Sequence, residues 1–395
     1  MDLYLFTSSY PYGNGEGFLE DEVPFLAEKF DNVYVVPFWV TDLDSKRSMP
    51  YNFHLLNPAI IGRTRNNLIG LLGGKAFGLY AKDFFRSKVY LSKVRLKSWF
   101  GSYYRTNCIM HNKEIMGIAS RLKPHDVCYF YWGVGLNVLA VQWKGKAKFV
   151  SRFHATVDLW EDARDGYTPL RKELSKSLDL AVFISNMGME YFHKHYADSK
   201  VLLSRLGAFD FGTSEKSKDG IVRIVSCSNV IPLKRVPMIM EALSQVKDYR
   251  IEWTHIGSGT EMGKLEEMAK EKESDVFRVN LLGQVRHDQV IEYFKTHPVD
   301  LFINLSTSEG VPVSIMEAIS FDVPCIATDV GATREIVTEE TGVLLDSNPT
   351  FDEVVDAVGR IMTRSYHPKA FWNKYYNAQS NYEKFVNALL NLSKE

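Results

Sequence analysis

Short apolar runs alternate with longer amphipathic stretches through most of the chain, the rhythm expected of parallel strands joined by covering helices. Residues 3–7, 33–38, 127–131, 148–152 and 180–185 predict strands in the first half; residues 222–226, 250–256, 278–282, 301–304 and 325–328 predict strands in the second. Residues 19–30, 237–246, 262–271 and 313–319 read as helices that follow such strands. The pattern predicts an α/β protein with two doubly wound parallel sheets. They part where residues 210–220 turn polar and rich in Gly and Ser.

The densest chemistry lies where the strand at 301–304 passes into the helix at 313–319. Glu309 falls in the loop and Glu317 about two turns into the helix, with Pro312 suited to the first helical position. Gly310 lets a ligand approach the backbone, and the unpaired amides of a helix start suit a diphosphate. The two carboxylates can then accept hydrogen bonds from hydroxyls, one from a transferred sugar and the other from a ribose. A plainer alternative makes Glu309 a first-turn acid favoured by the helix dipole and Glu317 a solvated surface residue. Residues 321–337 continue as a strand, a loop and another helix start.

At 395 residues the chain is long enough for two domains of ordinary size. Its 45% hydrophobic and 13% aromatic content, without low-complexity tracts, excludes a disordered chain. Cys108, Cys128, Cys227 and Cys325 are too scattered to suggest a zinc site or a disulfide framework, which fits a reducing compartment. The start of the chain lacks the basic and apolar regions of a signal peptide, and no window approaches the roughly 20 apolar residues of a membrane span. A cytoplasmic protein is expected.

The net charge of -1 hides an asymmetry, because residues 62–113 carry eleven Lys and Arg against a single acid, Asp83. Aromatic residues such as Phe77, Phe85, Tyr90, Trp99 and Phe100 interleave with them. That mixture suits attachment to an anionic membrane surface, with Arg86, Lys88, Lys93, Arg95 and Lys97 against the lipid, on the inner face of the cytoplasmic membrane. The alternative is a solvated helix pair with its aromatics turned inward. Nucleic acid is not expected as a partner, since no nucleic-acid-binding motif accompanies the charge.

The Ser308-Glu309-Gly310-Val311-Pro312 stretch, the second carboxylate at Glu317 and the following Val323-Pro324 strand together resemble the retaining glycosyltransferases of family 4. The resemblance spans nearly the whole chain and is weakest over the basic segment. It implies a GT-B architecture of two Rossmann-like domains with a cleft between them. Residues 1–209 would form the acceptor domain, residues 210–369 the nucleotide-sugar domain, and residues 370–395 would cross back as a helix. It implies transfer of a sugar from a nucleoside diphosphate sugar to a glycan or lipid-linked acceptor, with neither a metal nor another cofactor. An inactive nucleotide-sugar sensor or scaffold and a GT-B epimerase remain as alternatives.

Other segments take expected roles from the same resemblance. Residues 226–235 resemble a phosphate-grasping loop in which Lys234 fits the expected Lys, Asn229 stands where an Arg is expected, and Arg235 is the candidate substitute. Gly257 and Gly259 follow a strand, open a helix and are expected to admit the nucleotide, while Gln284 and Val285 resemble a base-contacting loop. Val311 and Pro312 complete the donor loop. In the first half, His154 resembles the residue facing the donor sugar, and Gly13 and Gly15 lie in a glycine loop expected near the donor phosphate. The role of Asp158 is open, and His111, His125, His193, His195 and His287 lack a comparable context. Asp42 and Asp44 match a metal-binding Asp-x-Asp superficially and are set aside, because they follow the second strand of the acceptor domain.

Overall fold

The computed structural model describes residues 1–13, 15–61, 68–154, 158–196 and 199–394. Part of the basic segment, residues 62–67, and the stretch 155–157 after His154 lie outside the described residues. So does Asn14 of the glycine loop.

The first half supplies strands β1 (Asp2–Thr7), β2 (Asn32–Pro37), β3 (Trp39–Val40), β4 (Phe53–Leu55), β5 (Ile60–Ile61), β6 (Val127–Phe130), β7 (Lys148–Phe153), β8 (Leu180–Phe183) and β9 (Val201–Leu203). The second half supplies β10 (Ile221–Cys227), β11 (Arg250–Ile256), β12 (Phe277–Leu281), β13 (Leu301–Asn304), β14 (Cys325–Thr328) and β15 (Gly342–Leu345). They assemble into a seven-stranded sheet ordered β4-β2-β1-β6-β7-β8-β9, a six-stranded sheet ordered β12-β11-β10-β13-β14-β15, and the small pair β3-β5. All pairings within the two large sheets are parallel. Central strands such as β6, β8, β13 and β14 are buried along their whole length. That is why they read as unbroken apolar runs rather than alternating ones.

The chain divides into two compact units: residues 1–204 with those from 382 onward, and residues 205–381. In the first, Phe6, Phe130, Trp143 and Phe153 belong to the core. In the second, Ile224, Trp253, Ile303 and Ile326 do the same. The expected single return helix over 370–395 is two helices, Pro368–Tyr375 and Ala378–Leu392. Phe371 and Trp372 belong to the second unit, and the first unit gains the chain only from Tyr382. There Phe385 lies 4.2 Å from the guanidinium of Arg152 and 5.2 Å from the ring of Tyr129, and Tyr382 packs 5.6 Å from Phe25. Arg152 is fully buried and pairs with the equally buried Glu22 at 3.0 Å.

Candidate active site

In the second unit β10 and β13 are neighbours, with β11 beyond one and β14 beyond the other, so strand order reverses between them. Ligands of open parallel sheets bind at the carboxyl ends of strands beside such a reversal. The loops leaving β10 and β13 meet at this place: Thr307 N donates to Leu233 O at 2.8 Å. Helix Val313–Ser320 opens from the second loop. Pro312 is its N-cap, with extended φ -70° and ψ 115°, and not its first helical residue. A fixed φ and a missing N–H are harmless at that position.

Glu309 Oε1 accepts from Lys234 Nζ at 2.5 Å and from Asn304 Nδ2 at 3.2 Å. Lys234 comes from the turn Pro232–Lys234 after β10 and Asn304 ends β13, so both loops hold one carboxylate. Glu317, the fifth residue of its helix, is 8% exposed, which rules out the solvated surface reading. Its Oε1 lies 2.6 Å from His287 Nε2. Burial, aided by the Glu317 charge, pushes the Cys227 thiol up to about 12. Cys227 therefore ends β10 as a protonated neighbour of that carboxylate. His287, which has no telling context in sequence, is brought to the site by the fold.

The glycines act mainly on neighbouring backbone. A Cβ on Gly257 (φ +142°) would lie 1.9 Å from Ser228 O, and one on Gly259 would lie 2.4 Å from Val230 O. Val230 N donates to Ser258 O and Glu261 N to Val230 O, each at 3.0 Å. Gly257 and Gly259 thus let the 257–261 loop close on the 228–230 loop, and this packing excludes a side chain there. Gly331 has no telling pattern in sequence. Its φ is +57°, and a Cβ there would sit 1.9 Å from Glu309 O. Ala332 N donates to Gly310 O at 2.9 Å, so the turn at Gly331 backs the Glu309–Gly310 segment directly. Val311 is buried beside them.

Arg235 donates to Ser347 O at 2.6 Å and Asn348 Oδ1 at 3.3 Å, and burial lowers its pKa. Asn229 is exposed at the tip of its loop. Gln284 is exposed and Val285 half-buried, just before helix His287–Thr296; Gly257 N donates to Gly283 O at 2.9 Å, tying this loop to the 257–261 loop.

In the first unit, His154 follows β7. Its backbone N donates to both carboxylate oxygens of Asp158 at 3.0 Å, and its Nδ1 lies 3.4 Å from Oδ2. The ring is 9% exposed and sits 4.3 Å from the Trp132 ring, and Nε2 has no partner among the described residues. Asp158 thereby acquires a role: it holds the His154 backbone and the Nδ1 side of the imidazole. Gly13 (φ +66°) donates its N–H to Ser45 O at 3.0 Å, and Gly15 O accepts from Arg47 Nη2 at 2.7 Å. What holds their loop is Glu16, whose buried carboxylate accepts from the amides of Ser8, Ser9 and Tyr10 and from Trp132 Nε1, all within 2.8 Å. A lone acid in a glycine-rich connection was the available signal for it.

Within the basic segment, Arg86 pairs with Glu173, and Arg95 donates to Ser87 O and Asp165 O. Lys88, Lys93 and Lys97 are exposed. Half of the exposed large hydrophobic residues described in the protein, ten of twenty, lie between Leu68 and Phe100. The solvated helix pair with inward aromatics is therefore only half the picture: Trp99 and Tyr103 stack inward, whereas Phe77, Phe85 and Phe100 face out. Among the described residues no helix is long and apolar enough to cross a membrane, and no group of three or more His, Cys, Asp or Glu side chains could hold a metal ion.

Residues 212–378 match the family model described as glycosyl transferases group 1. Over 152 residues the chain is 29% identical to a phosphatidylinositol N-acetylglucosaminyltransferase subunit of Arabidopsis thaliana, covering 38% of this chain and 33% of that protein. Over 114 residues it is 31% identical to the O-antigen biosynthesis glycosyltransferase WbnH of Escherichia coli, covering 29% and 30%. The chain thus spans about a third of the length of these curated relatives. Among solved structures, it is similar to the lipopolysaccharide outer core galactosyltransferase WaaB in its apo form, with a TM-score of 0.69, 14% identity and 99% of both chains covered. It is also similar to Anabaena HepE in complex with UDP, with a TM-score of 0.66, 14% identity, and 99% of this chain and 100% of that one covered. With the two parallel sheets, these likenesses show a GT-B α/β fold.

Proposed function

We propose that the protein is a retaining, metal-independent glycosyltransferase that moves a sugar from a nucleoside diphosphate sugar to an acceptor hydroxyl, on a lipid-linked glycan of surface polysaccharide synthesis. The observation that carries this reading is the convergence of Lys234, Glu309 and Glu317 at the strand-order reversal of the second unit, inside the stretch matched by the glycosyltransferase model. Glu309 accepts from hydroxyls of the transferred sugar, and Glu317 from the ribose. Lys234 and the amides that open helix Val313–Ser320 balance the diphosphate as the sugar departs. His154 Nε2 offers a hydrogen bond to the sugar or the leaving phosphate. The leaving phosphate takes the acceptor proton on the face it vacates, so the chain needs no nucleophile and acts by positioning and charge stabilisation. Gly13, Gly15, Asn229, Arg235, Gly257, Gly259, Gln284, Val285, Gly310, Val311 and Pro312 shape the loops around the donor. The exposed lysines and aromatics between Leu68 and Phe100 support peripheral seating on an anionic, cytoplasm-facing membrane.

An inactive nucleotide-sugar sensor is the second reading, favoured by the charge of the 226–235 loop: Asn229 is uncharged and Arg235 is engaged by Ser347 and Asn348, which leaves Lys234 to meet the diphosphate. Thermal-shift screening against nucleotide sugars, followed by donor hydrolysis without acceptor, tests both. Binding with hydrolysis supports the transferase, binding without turnover under any acceptor supports the sensor, and no binding sinks both.

A further inference from the structure

Strand order also reverses in the first unit, between β1 and β6, and two adjoining cavities open there at the carboxyl ends of these strands. One, of about 350 Å³, is walled by Phe6, Phe38, Trp39, Phe130 and Trp132. The other, of about 210 Å³, is bordered by Arg105, Arg164 and Arg171. Arg105, Val134, Gly135 and Asn137 line both, and no carboxylate of the described residues lines either.

Two buried donor groups at this junction lack an acceptor among the described residues. Asn137 is 4% exposed and its Nδ2 has no hydrogen-bond partner among the described residues. Arg171 is 2% exposed and its Nη1 is likewise unpartnered. Burial and the nearby Arg164 charge both lower the Arg105 pKa, opposed only by the Tyr80 hydroxyl. A buried donor lacking an acceptor is costly and marks a place where an acceptor belongs. Arg171 lies 3.9 Å from Glu161 and donates to Asp158 O, and Arg164 donates to Thr168 Oγ1, so the guanidinium that calls for a negative partner is Arg105, which has no carboxylate among the described residues lining either cavity. The junction is closely packed: a Cβ on Gly135 (φ +86°) would press on the Phe38 ring at 3.2 Å, and Gly133 N donates to Asp158 Oδ2 at 3.1 Å.

We propose that these cavities select an acceptor carrying an anionic group beside an apolar portion, with the anion on Arg105 and Asn137 Nδ2 and the apolar portion against Phe38, Trp39 and Trp132. This rests on the transferase reading and names the acceptor class for it. A phosphate on a lipid-linked glycan and the carboxylate of a uronic acid share the chemistry.

Calorimetric titration of the full chain with farnesyl phosphate, octyl glucuronide and farnesol tests it, using wild type, Arg105→Met, Arg105→Lys and Asn137→Ala. At least one anionic probe should bind wild type tenfold or more tighter than farnesol. Arg105→Met should abolish that preference, Arg105→Lys should recover part of it, and Asn137→Ala should weaken the anionic probe alone. The tighter of the two anionic probes identifies phosphate or carboxylate as the source. Farnesol binding as well as either, neither anionic probe binding, or a folded Arg105→Met keeping the preference would overturn the inference. Should Arg105→Met fold poorly, the wild-type ranking and Asn137→Ala decide. UDP titrated into the same wild-type sample reports on the donor site, so UDP binding without anionic-probe binding defeats this inference and leaves the transferase reading intact. Anionic-probe binding without UDP binding does the reverse.

Discussion

Lys234 Nζ lies 2.5 Å from Glu309 Oε1, although 75 residues separate the two in sequence. In the structure each charge is balanced by the other. Under the proposed function the donor's diphosphate competes for the ammonium and its sugar for the carboxylate. Lys234→Ala should lower kcat for transfer by about 100-fold or more, the scale of a lost charge-stabilising group. Glu309→Gln should depress kcat more than donor affinity. Steady-state kinetics with and without EDTA checks both expectations, and activity should survive chelation. A loss restored by Mn2+ would refute the metal-free mechanism and return Asp42 and Asp44 to consideration.

Glu317 is matched with His287, thirty residues away on another helix. Glu317→Gln should weaken nucleotide binding by about 1.5–3 kcal/mol, as expected for a lost charged hydrogen bond. His287→Ala should leave that loss small, since His287 is largely exposed and its contact is screened by solvent. Titration with UDP distinguishes the two variants; equal losses would mean that the pair, and not the carboxylate, binds the ribose.

Gly331→Ala places a methyl group within 1.9 Å of Glu309 O at a φ of +57°. The turn must move, and the Glu309 loop with it. We expect destabilisation of about 2 kcal/mol or more together with loss of donor binding, read by thermal unfolding with and without UDP. Gly263→Ala, where a Cβ meets nothing within 4 Å inside helix Met262–Lys272, should leave UDP binding unchanged and stabilise the fold by about 0.4–1 kcal/mol.

Burial pushes the His255 imidazole down from its ordinary 6.5 to about 4, with a Ser228 backbone hydrogen bond opposing. The unfolded chain therefore takes up a proton at a pH where the folded one does not. Stability contributed by the neutral ring is complete above pH 6.5 and falls as pH drops from 6.5 towards 4, the loss reaching on the order of 3 kcal/mol at the lower end. An NMR titration should show His255 neutral at pH 5. A midpoint near 6 would contradict this.

Arg86 and Arg95 are already engaged by protein partners, so Lys88, Lys93 and Lys97 carry the expected attraction to anionic lipid. Replacing these three by Gln should reduce sedimentation with phosphatidylserine vesicles nearly as much as neutralising all five. Phe85→Ser with Leu91→Ser should reduce it further at constant charge. Binding should fall steeply with salt, because a Debye length of about 8 Å at physiological ionic strength screens such charges. Salt-independent sedimentation, or none by wild type at low salt, would leave a solvated surface.

Strands β11, β13 and β14 and helix Val313–Ser320 were legible because local pattern suffices for elements buried on both faces or opened by Pro. β4, β9 and β15 were missed: two are three-residue edge strands and the third begins at Gly342, so none shows a long apolar run. At the site, Glu309, Glu317 and Lys234 were visible as residue types in a spacing. Gly331, Asn304, His287 and Glu16 were not, because each matters only through a partner brought near by the fold. The glycines at 257 and 259 read in sequence as positions that admit a nucleotide; the close approach of the 228–230 backbone to them was not legible there, because only the fold brings it near.

The packing of Phe385 and Tyr382 against Arg152, Tyr129 and Phe25 has a consequence for the order in which the protein is made. A ribosome emits residues 1–204 first, but the helix that completes their core emerges only after the 177 residues of 205–381. At ordinary rates of synthesis that interval is roughly 10–35 s. During it, the Arg152 guanidinium and the rings around it face water or a chaperone instead of Phe385. The unit that starts first on the ribosome is thus the one that closes last, and a stalled or prematurely ended chain leaves it open.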